Sequence, residues 1–254
     1  MKKSFVFLLL LSSVLTGCAT KPVTPEEIKA YEEANDPIEP FNRAMFATNM
    51  LLDTAILEPL AKGYRFITPD PVKQGISNVF TNIKQPAYLI NSLLQGEGQA
   101  ALDISKRFLA NTFLGLGGLF DVAKDFDIPV HTNDFGQTLA VWGWENSEPY
   151  IVWPILGPSN PRDTIGTALN TALTTAELSP IDESSVRYGI IALDAIQTRE
   201  KNIEFLESLK NSSTDFYATV RSMYRQNREK KINSALKKET IDTSNYDYDF
   251  EEEE

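Results

Sequence analysis

After residue 36 the prolines and glycines cut this chain into short helical segments, and that punctuation limits its fold more than any other feature. Asp36-Pro37-Ile38-Glu39 reads as a helix start, with Asp at the N-cap, Pro at the first helical position and Glu at the third, a capping box. Phe41, Met45 and Leu52 follow at helical spacing. Asp70-Pro71 opens a second segment, in which Val72, Ile76, Val79, Phe80 and Ile83 share one face. Pro86 opens another, which Gly96 and Gly98 end. Pro158-Ser159-Asn160-Pro161 restarts a helix with Asn160 as its cap. Residues 187–209 read as one longer helix, with Ala192, Ile196, Ile203 and Leu206 on a face. Ser212 to Asp215 cap the last helix, where Phe216, Val220, Met223 and Asn227 lie along one side and Arg221, Arg225 and Arg228 on others. Only Tyr150 to Leu156 reads as extended. The fold class that follows is mainly α, many short helices with little or no β, and no repeat of 20–50 residues is present.

The apolar runs set a second limit. Phe5 to Leu15 follows Met1-Lys2-Lys3 and is too short for an ordinary spanning helix, so it reads as the core of a signal peptide. It runs into Leu15-Thr16-Gly17-Cys18, which looks like a bacterial lipobox, with Cys18 as the lipidation site. Ala19 stands where an Asp commonly retains lipoproteins in the inner membrane, which favours the outer membrane. Three acyl chains at about 0.8 kcal/mol per methylene make such an anchor effectively permanent. Phe108 to Phe120 is apolar and Gly-rich but short, and suits a core or re-entrant segment. No later run reaches eighteen apolar residues, which argues against a spanning bundle. The organisation expected is a signal peptide over 1–17, a lipidated N-terminus and tether over 18–35, a helical domain over 36–232, and an acidic, disordered tail over 233–254.

Charge and cysteine content exclude several classes. Cys18 is the only cysteine, so neither a disulfide framework nor a Cys metal site is available. Removal of residues 1–17 takes Lys2 and Lys3 away and moves the net charge from −11 to −13. An acidic chain without a long basic run is a poor nucleic-acid binder.

Catalytic constellations are equally sparse. His131 is the only histidine, and a nucleophilic hydrolase needs a base beside its nucleophile. Gly157-Pro158-Ser159-Asn160-Pro161 lacks the closing glycine of a nucleophile elbow. Gly115-Leu116-Gly117-Gly118 lacks the Lys-Ser/Thr pair and the spacing of a phosphate loop, and reads as close packing or backbone flexibility. Asp121, Asp125 and Asp127 lie near one another, but their apolar neighbours fit packing better than a cation site. No enzyme, cofactor or metal is expected. Trp142, Trp144, Tyr150 and Trp153 cluster within twelve residues. Two readings fit them, a membrane–water boundary and a buried aromatic core.

Several segments together resemble the MlaA/VacJ family of outer-membrane phospholipid-transport lipoproteins. They include Asp36-Pro37-Ile38-Glu39-Pro40-Phe41-Asn42-Arg43, Pro69-Asp70-Pro71-Val72-Lys73-Gln74-Gly75, Arg107-Phe108-Leu109-Ala110-Asn111-Thr112 and Leu114-Gly115-Leu116-Gly117-Gly118-Leu119-Phe120-Asp121. Asp134-Phe135-Gly136-Gln137, Pro149-Tyr150-Ile151-Val152-Trp153-Pro154 and Gly157-Pro158-Ser159 follow, running into Arg162-Asp163. The likeness spans roughly residues 36–228 in family order. It implies a ring of short helices lying in the outer membrane around an amphipathic channel. Through it phospholipid leaves the outer leaflet for a soluble periplasmic carrier, beside a trimeric porin. The same resemblance marks Asp36, Pro37, Phe41, Asn42, Arg43, Asn111, Gly117, Gly118, Asp121 and Phe135 as motif positions. Gly136, Trp142, Gly143 and Trp144 are candidates for a channel or hinge. Where many members carry a Gly-rich stretch, this chain has Trp142-Gly143-Trp144-Glu145-Asn146-Ser147-Glu148. The competing reading is an envelope scaffolding or binding lipoprotein that moves no lipid.

Overall fold

The computed structural model describes residues 36–145, 149–177 and 184–237. The expected signal peptide, Cys18, the tether and the acidic end beyond residue 237 lie outside them. Among the described residues the helices run α1 Glu39–Leu52, α2 Glu58–Ile67, α3 Asp70–Leu94, α4 Gly98–Leu109, α5 Phe135–Val141, α6 Pro161–Glu177, α7 Ser184–Lys201, α8 Ile203–Ser212 and α9 Phe216–Ala235. A π-helical turn, Asp53–Leu57, joins α1 to α2, and another, Ala110–Leu114, closes α4. Strands β1 Ile151–Trp153 and β2 Gly157–Ser159 form one antiparallel hairpin, with Ile151 opposite Ser159 and Trp153 opposite Gly157. The mainly helical class holds, with β structure limited to this hairpin.

Packing runs in a closed cycle. α1 lies on β1, β2 on α9, α9 on α5, α5 on α3, α3 on α7 and α7 on α2, and α2 returns through the π-helical turn to α1. α4 lies along α3, and α6 crosses α5 and α3. The hairpin is tied into the cycle by two asparagines two turns apart on α1. Asn42 donates to the Tyr150 carbonyl at 2.9 Å and accepts from the Val152 amide at 2.8 Å. Asn49 does the same for the Trp153 carbonyl and the Ile155 amide, at 2.9 and 2.7 Å. The two side chains thus supply β1 with the partners that a further strand would offer.

The helices sort their residues in reverse. α3 buries Asn82, Gln85, Asn91 and Ser92 while Val72, Ile90, Leu93 and Leu94 stand exposed. Among the described residues, 19 buried side chains are polar or charged against 14 apolar ones, and half of the apolar set is alanine. A water-soluble domain buries its large aliphatics first. Here Phe66 is 91 % exposed, Ile155 84 % and Phe113 75 %. No helix among the described residues is long and apolar enough to cross a membrane.

This inversion explains most differences from the sequence-based expectations. On α3 only Phe80 of the expected apolar face is buried. On α9 the inward stripe is Tyr217, Arg221, Tyr224, Arg228 and Ile232, not Phe216, Val220, Met223 and Asn227, because the arginines find carboxylates inside. Phe108 to Phe120 is not core: Leu109, Phe113, Leu114, Leu116, Leu119 and Phe120 are all exposed. Asp36 is no N-cap. α1 begins after Ile38 without a side-chain cap, since buried donors claim the Asp36 carboxylate.

Five helix boundaries also move or hold for local reasons. Pro86 sits inside α3 rather than opening a helix. An interior proline costs about 3 kcal/mol, and contacts of α3 with α4, α5, α6 and α7 outweigh it. Gly96 does end α3: its φ is +72° and the Gly96 and Glu97 amides donate back to Leu93 and Ser92, a Schellman motif. The expected helix over 187–209 breaks at Asn202, whose side-chain amide donates to the Thr198 carbonyl at 2.7 Å and competes with the backbone ladder. Asn160 and Asp215 cap α6 and α9 as expected, accepting from Asp163 and Ala218 amides.

Candidate functional site

The inward polar side chains form two linked sets. In the first, Asp36 accepts from Asn42 at 2.7 Å, from Arg221 at 2.8 Å and from the Tyr217 hydroxyl. Arg43 donates to Glu39 at 2.7 Å and to Asp215 at 2.6 Å, and its guanidinium lies 4.4 Å from the Tyr217 ring centroid. The hydrogen bond from Arg43 holds the Asp215 carboxyl below its usual range. Tyr150, packed edge-on to Tyr217 and Tyr224, completes the small aromatic core with Val152. Pro37 is exposed and Phe41 half-buried beside this set.

In the second set Arg228 is forked on Asp134 at 2.6 and 2.7 Å and reaches Asp163 at 2.6 Å. Asp163 also accepts from Tyr224 at 2.6 Å and from Asn160 at 2.9 Å. Burial works to raise the Asp134 carboxyl, but the Arg228 hydrogen bonds and charge win and lower it. Asp134 caps α5 in a full capping box with Gln137. Thr138 and Gln95 link it to Asn91 on α3. Removing one partner of such a buried pair leaves a bare charge, at a cost of about 3–5 kcal/mol.

Gly136 lies at the bottom of this set. A Cβ there would collide with Arg228 and with Asp163, and one on Gly166 would fall 2.5 Å from the Gly136 nitrogen. Gly136 therefore lets α5 and α6 cross closely. Phe135 beside it donates its amide to Asn170 at 3.2 Å and meets Trp142 edge-on at 6.0 Å.

Asn111, Gly117, Gly118 and Asp121 come together in a third place. Arg107 is forked on Asp121 at 2.7 and 2.8 Å, Asn111 donates to the same carboxylate at 2.8 Å, and the Ala123 amide donates to Asn111. Gly118, at φ +92°, lies against Asn82, where a Cβ would stand 2.5 Å from the Asn82 Cβ.

The aromatic segment divides between the two readings given above. Tyr150 is core, Trp142 is exposed, and Trp144 is half-buried. Trp142 donates to the Leu94 carbonyl at 3.1 Å, and Trp153 to Thr164 at 2.8 Å. Gly143 has φ +110° and ends α5: the Gly143 and Trp144 amides donate back to Ala140 and Leu139, a second Schellman motif.

Among the described residues His131 and Ser159 do not come together. His131 faces Asp103 at 3.3 Å, whereas Ser159 is bonded to Thr164 at 2.9 Å and to the Asn160 carbonyl. Among the described residues no three His, Cys, Asp or Glu side chains gather as metal ligands. Among the described residues the arrangement offers a polar interior with an apolar exterior.

A family model for the MlaA lipoprotein matches residues 34–231. The chain belongs to the MlaA lipoprotein family. An intermembrane phospholipid transport system lipoprotein, MlaA of Haemophilus influenzae, is 35 % identical over 240 residues, 92 % of each chain. The MlaA of Escherichia coli is 31 % identical over 230 residues, 89 % of this chain and 87 % of that one. A protein of Rickettsia felis without an assigned role is 37 % identical over 203 residues, 79 % of each. A solved structure from work on the structural basis for maintenance of bacterial outer membrane lipid asymmetry superposes with a TM-score of 0.67. It is 34 % identical and covers 78 % of this chain and 99 % of its own.

Sequence reasoning missed two side chains that partner Asp134 and Asp163, Tyr224 and the inward-facing Arg228. Their signal was present. Tyr217, Arg221, Tyr224 and Arg228 recur at i, i+4, i+7 and i+11, a helical face written in polar residues.

Proposed function

We propose that this MlaA-family chain removes mislocalised phospholipid from the outer leaflet of the outer membrane and passes it to a soluble periplasmic carrier, keeping that membrane asymmetric. The inverted polarity of a closed cycle of helices carries the reading. Apolar side chains on the outside suit acyl chains, and each buried Leu or Phe contributes about 1.5–3 kcal/mol. Polar side chains inside offer hydrogen bonds to a headgroup, whose passage through bare hydrocarbon is opposed by the cost of unpartnered polar groups. The short helices lie in the membrane plane, Cys18 carries the acyl anchor, and an apolar flank rests beside a trimeric porin. No covalent step is required, and the drive for net flux comes from a partner.

The test is complementation. In a strain lacking the protein, outer-leaflet phospholipid is measured by its accessibility to externally added phospholipase. The intact chain restores the low accessibility of the parent, while Cys18→Ala does not, and mass spectrometry finds a tri-acylated Cys18 at the mature N-terminus. Full restoration of partner assembly with no change in outer-leaflet lipid would select the scaffolding reading instead.

A further inference from the structure

The turn that joins β1 to β2 is built against the preference of its own backbone. Ile155 stands at φ +67°, and across it the Leu156 amide donates to the Pro154 carbonyl at 2.7 Å. Such a bond between residues two apart, around a positive φ, is the rare and strained form of the γ-turn. A β-branched residue there is an outlier, where glycine would sit without strain. The side chain gains little from the fold in return, for Ile155 is 84 % exposed and Leu156 68 %. The polar groups of the turn, by contrast, are settled inside the molecule. Pro154 has no amide, the Ile155 amide donates to Asn49 Oδ1 at 2.7 Å, and Asn49 Nδ2 donates to the Trp153 carbonyl at 2.9 Å. The Trp153 indole donates to Thr164 at 2.8 Å. No charged residue stands between Pro149 and Pro161. The tip thus leaves no amide for water and presents two aliphatic side chains.

We infer that Pro154-Ile155-Leu156 is a membrane wedge, whose two aliphatic side chains enter the acyl-chain layer of the bilayer. Backbone enters hydrocarbon only where its donors are satisfied internally, and the donors of this turn are. An uncharged tip matches an uncharged layer and gives a charged partner surface nothing to pair with. Strain kept at an exposed position is accounted for by a contact made outside the chain. The tip is also continuous with other apolar surface. Asn49 sets it beside the end of α1, where Leu52, one turn on, and Ile56 in the π-helical turn are exposed as well. The inference rests on the proposed lipid transport, which sets the chain in a membrane, and adds the hairpin tip to the surface that enters it.

The test uses the full-length lipidated protein in vesicles of phosphatidylethanolamine and phosphatidylglycerol. Cys18, the only cysteine, carries the anchor, so Ile155→Cys adds one free thiol for an environment-sensitive fluorophore. Lys237→Cys, at an exposed position past α9, is the reference. The label at 155 is quenched by bromine on the acyl chains and spared by iodide in the water, and the label at 237 shows the reverse. Iodide quenching at 155 as strong as at 237 overturns the wedge. Shielding from both quenchers sets the tip against protein, a second copy included, and overturns it too. Ile155→Asn supplies a check of opposite signs, because Asn tolerates a positive φ but not hydrocarbon. Its melting temperature in detergent rises by about 2 °C as strain is relieved. In a Cys18→Ala chain the same substitution lowers flotation with vesicles by about tenfold. A lower melting temperature means that Ile155 packs within the fold, and unchanged flotation that it meets no lipid; either overturns the wedge. If the label at 155 lies in water while the parent restores outer-leaflet asymmetry, the transport reading survives and this one falls. A label held in the acyl layer, with a parent that restores nothing, removes the transport reading and leaves the wedge.

Discussion

The segment from Phe113 to Phe126 and the turn from Trp142 to Trp144 both present large apolar side chains outward, but the first is clamped from behind and the second hangs from a helix end. Behind the first, buried Arg107 grips Asp121, Asn111 joins the same carboxylate, and Asn78 donates to the Leu119 carbonyl at 3.0 Å. Gly118 is pressed on Asn82. Around the second, a Cβ added to Gly143 would meet nothing within 4 Å. Its ties include the Trp142 bond to Leu94 and the Arg162 bond to the Trp144 carbonyl. Outward apolar side chains thus go with unequal constraint in the two places. The clamped segment suits a fixed seat in lipid, and the turn suits adjustment at an edge.

The largest effect should come from opening the clamp. Asp121→Ala leaves Arg107 buried without its carboxylate, and stability should fall by about 3–5 kcal/mol. Thermal unfolding in detergent reads this directly. A melting temperature equal to the parent's would abolish the distinction between the two regions.

A smaller change tests what the clamp serves. Phe113→Ser removes an exposed ring, so detergent stability should stay within about 0.5 kcal/mol of the parent. Partition onto vesicles, measured by flotation of a Cys18→Ala chain, should weaken by about 2 kcal/mol. Unchanged flotation would mean that this segment does not enter lipid.

How much of this was legible beforehand follows from the inversion. Local signals read correctly where backbone chemistry decides: Asn160 and Asp215 as caps, Gly96 as a stop, and Ile151 to Trp153 as extended, whereas Pro154 to Leu156 of the same expected stretch form the hairpin turn. Faces read wrongly where the rule of apolar side chains inside was applied to α3 and to α9, and of the two readings of Phe108 to Phe120 the core one fails. Nothing local in Phe113 distinguishes a core residue from a lipid-facing one. Asp36 shows the same limit in a polar residue. Its place before Pro37 invited an N-cap reading that fails, because its partners Tyr217 and Arg221 lie 181 and 185 residues away. The motif residues were recognisable as a set, while the contacts that make them a set were not.

On the turn, Gly143→Val tests the left-handed helix stop. At φ +110° a β-branched residue is strained, and a cost of about 1–3 kcal/mol is expected. Since open space surrounds the site, the cost is conformational and not steric. Gly143→Asn should recover part of it, because Asn tolerates positive φ better than Val. Equal losses in the two variants would point to packing instead.

The smallest effect concerns which tryptophan faces lipid. Trp142 is exposed with its indole nitrogen already bonded to the Leu94 carbonyl, so its ring can turn outward without an unpartnered donor. Trp144 is half-buried, and its carbonyl accepts from Arg162 at 3.2 Å, which holds that residue towards the interior. Chains retaining one tryptophan each, with Phe at the other two positions, separate them in vesicles carrying brominated lipid. Trp142 emission should be quenched by bromine placed near the headgroups, as expected for an aromatic ring at a membrane boundary. Trp144 should be quenched less at every depth. Gly143→Val should narrow the gap, because displacing the stop shifts both rings together. Stronger quenching of Trp144 than of Trp142 would reverse the orientation of the turn and place its edge, not its aromatic face, against lipid.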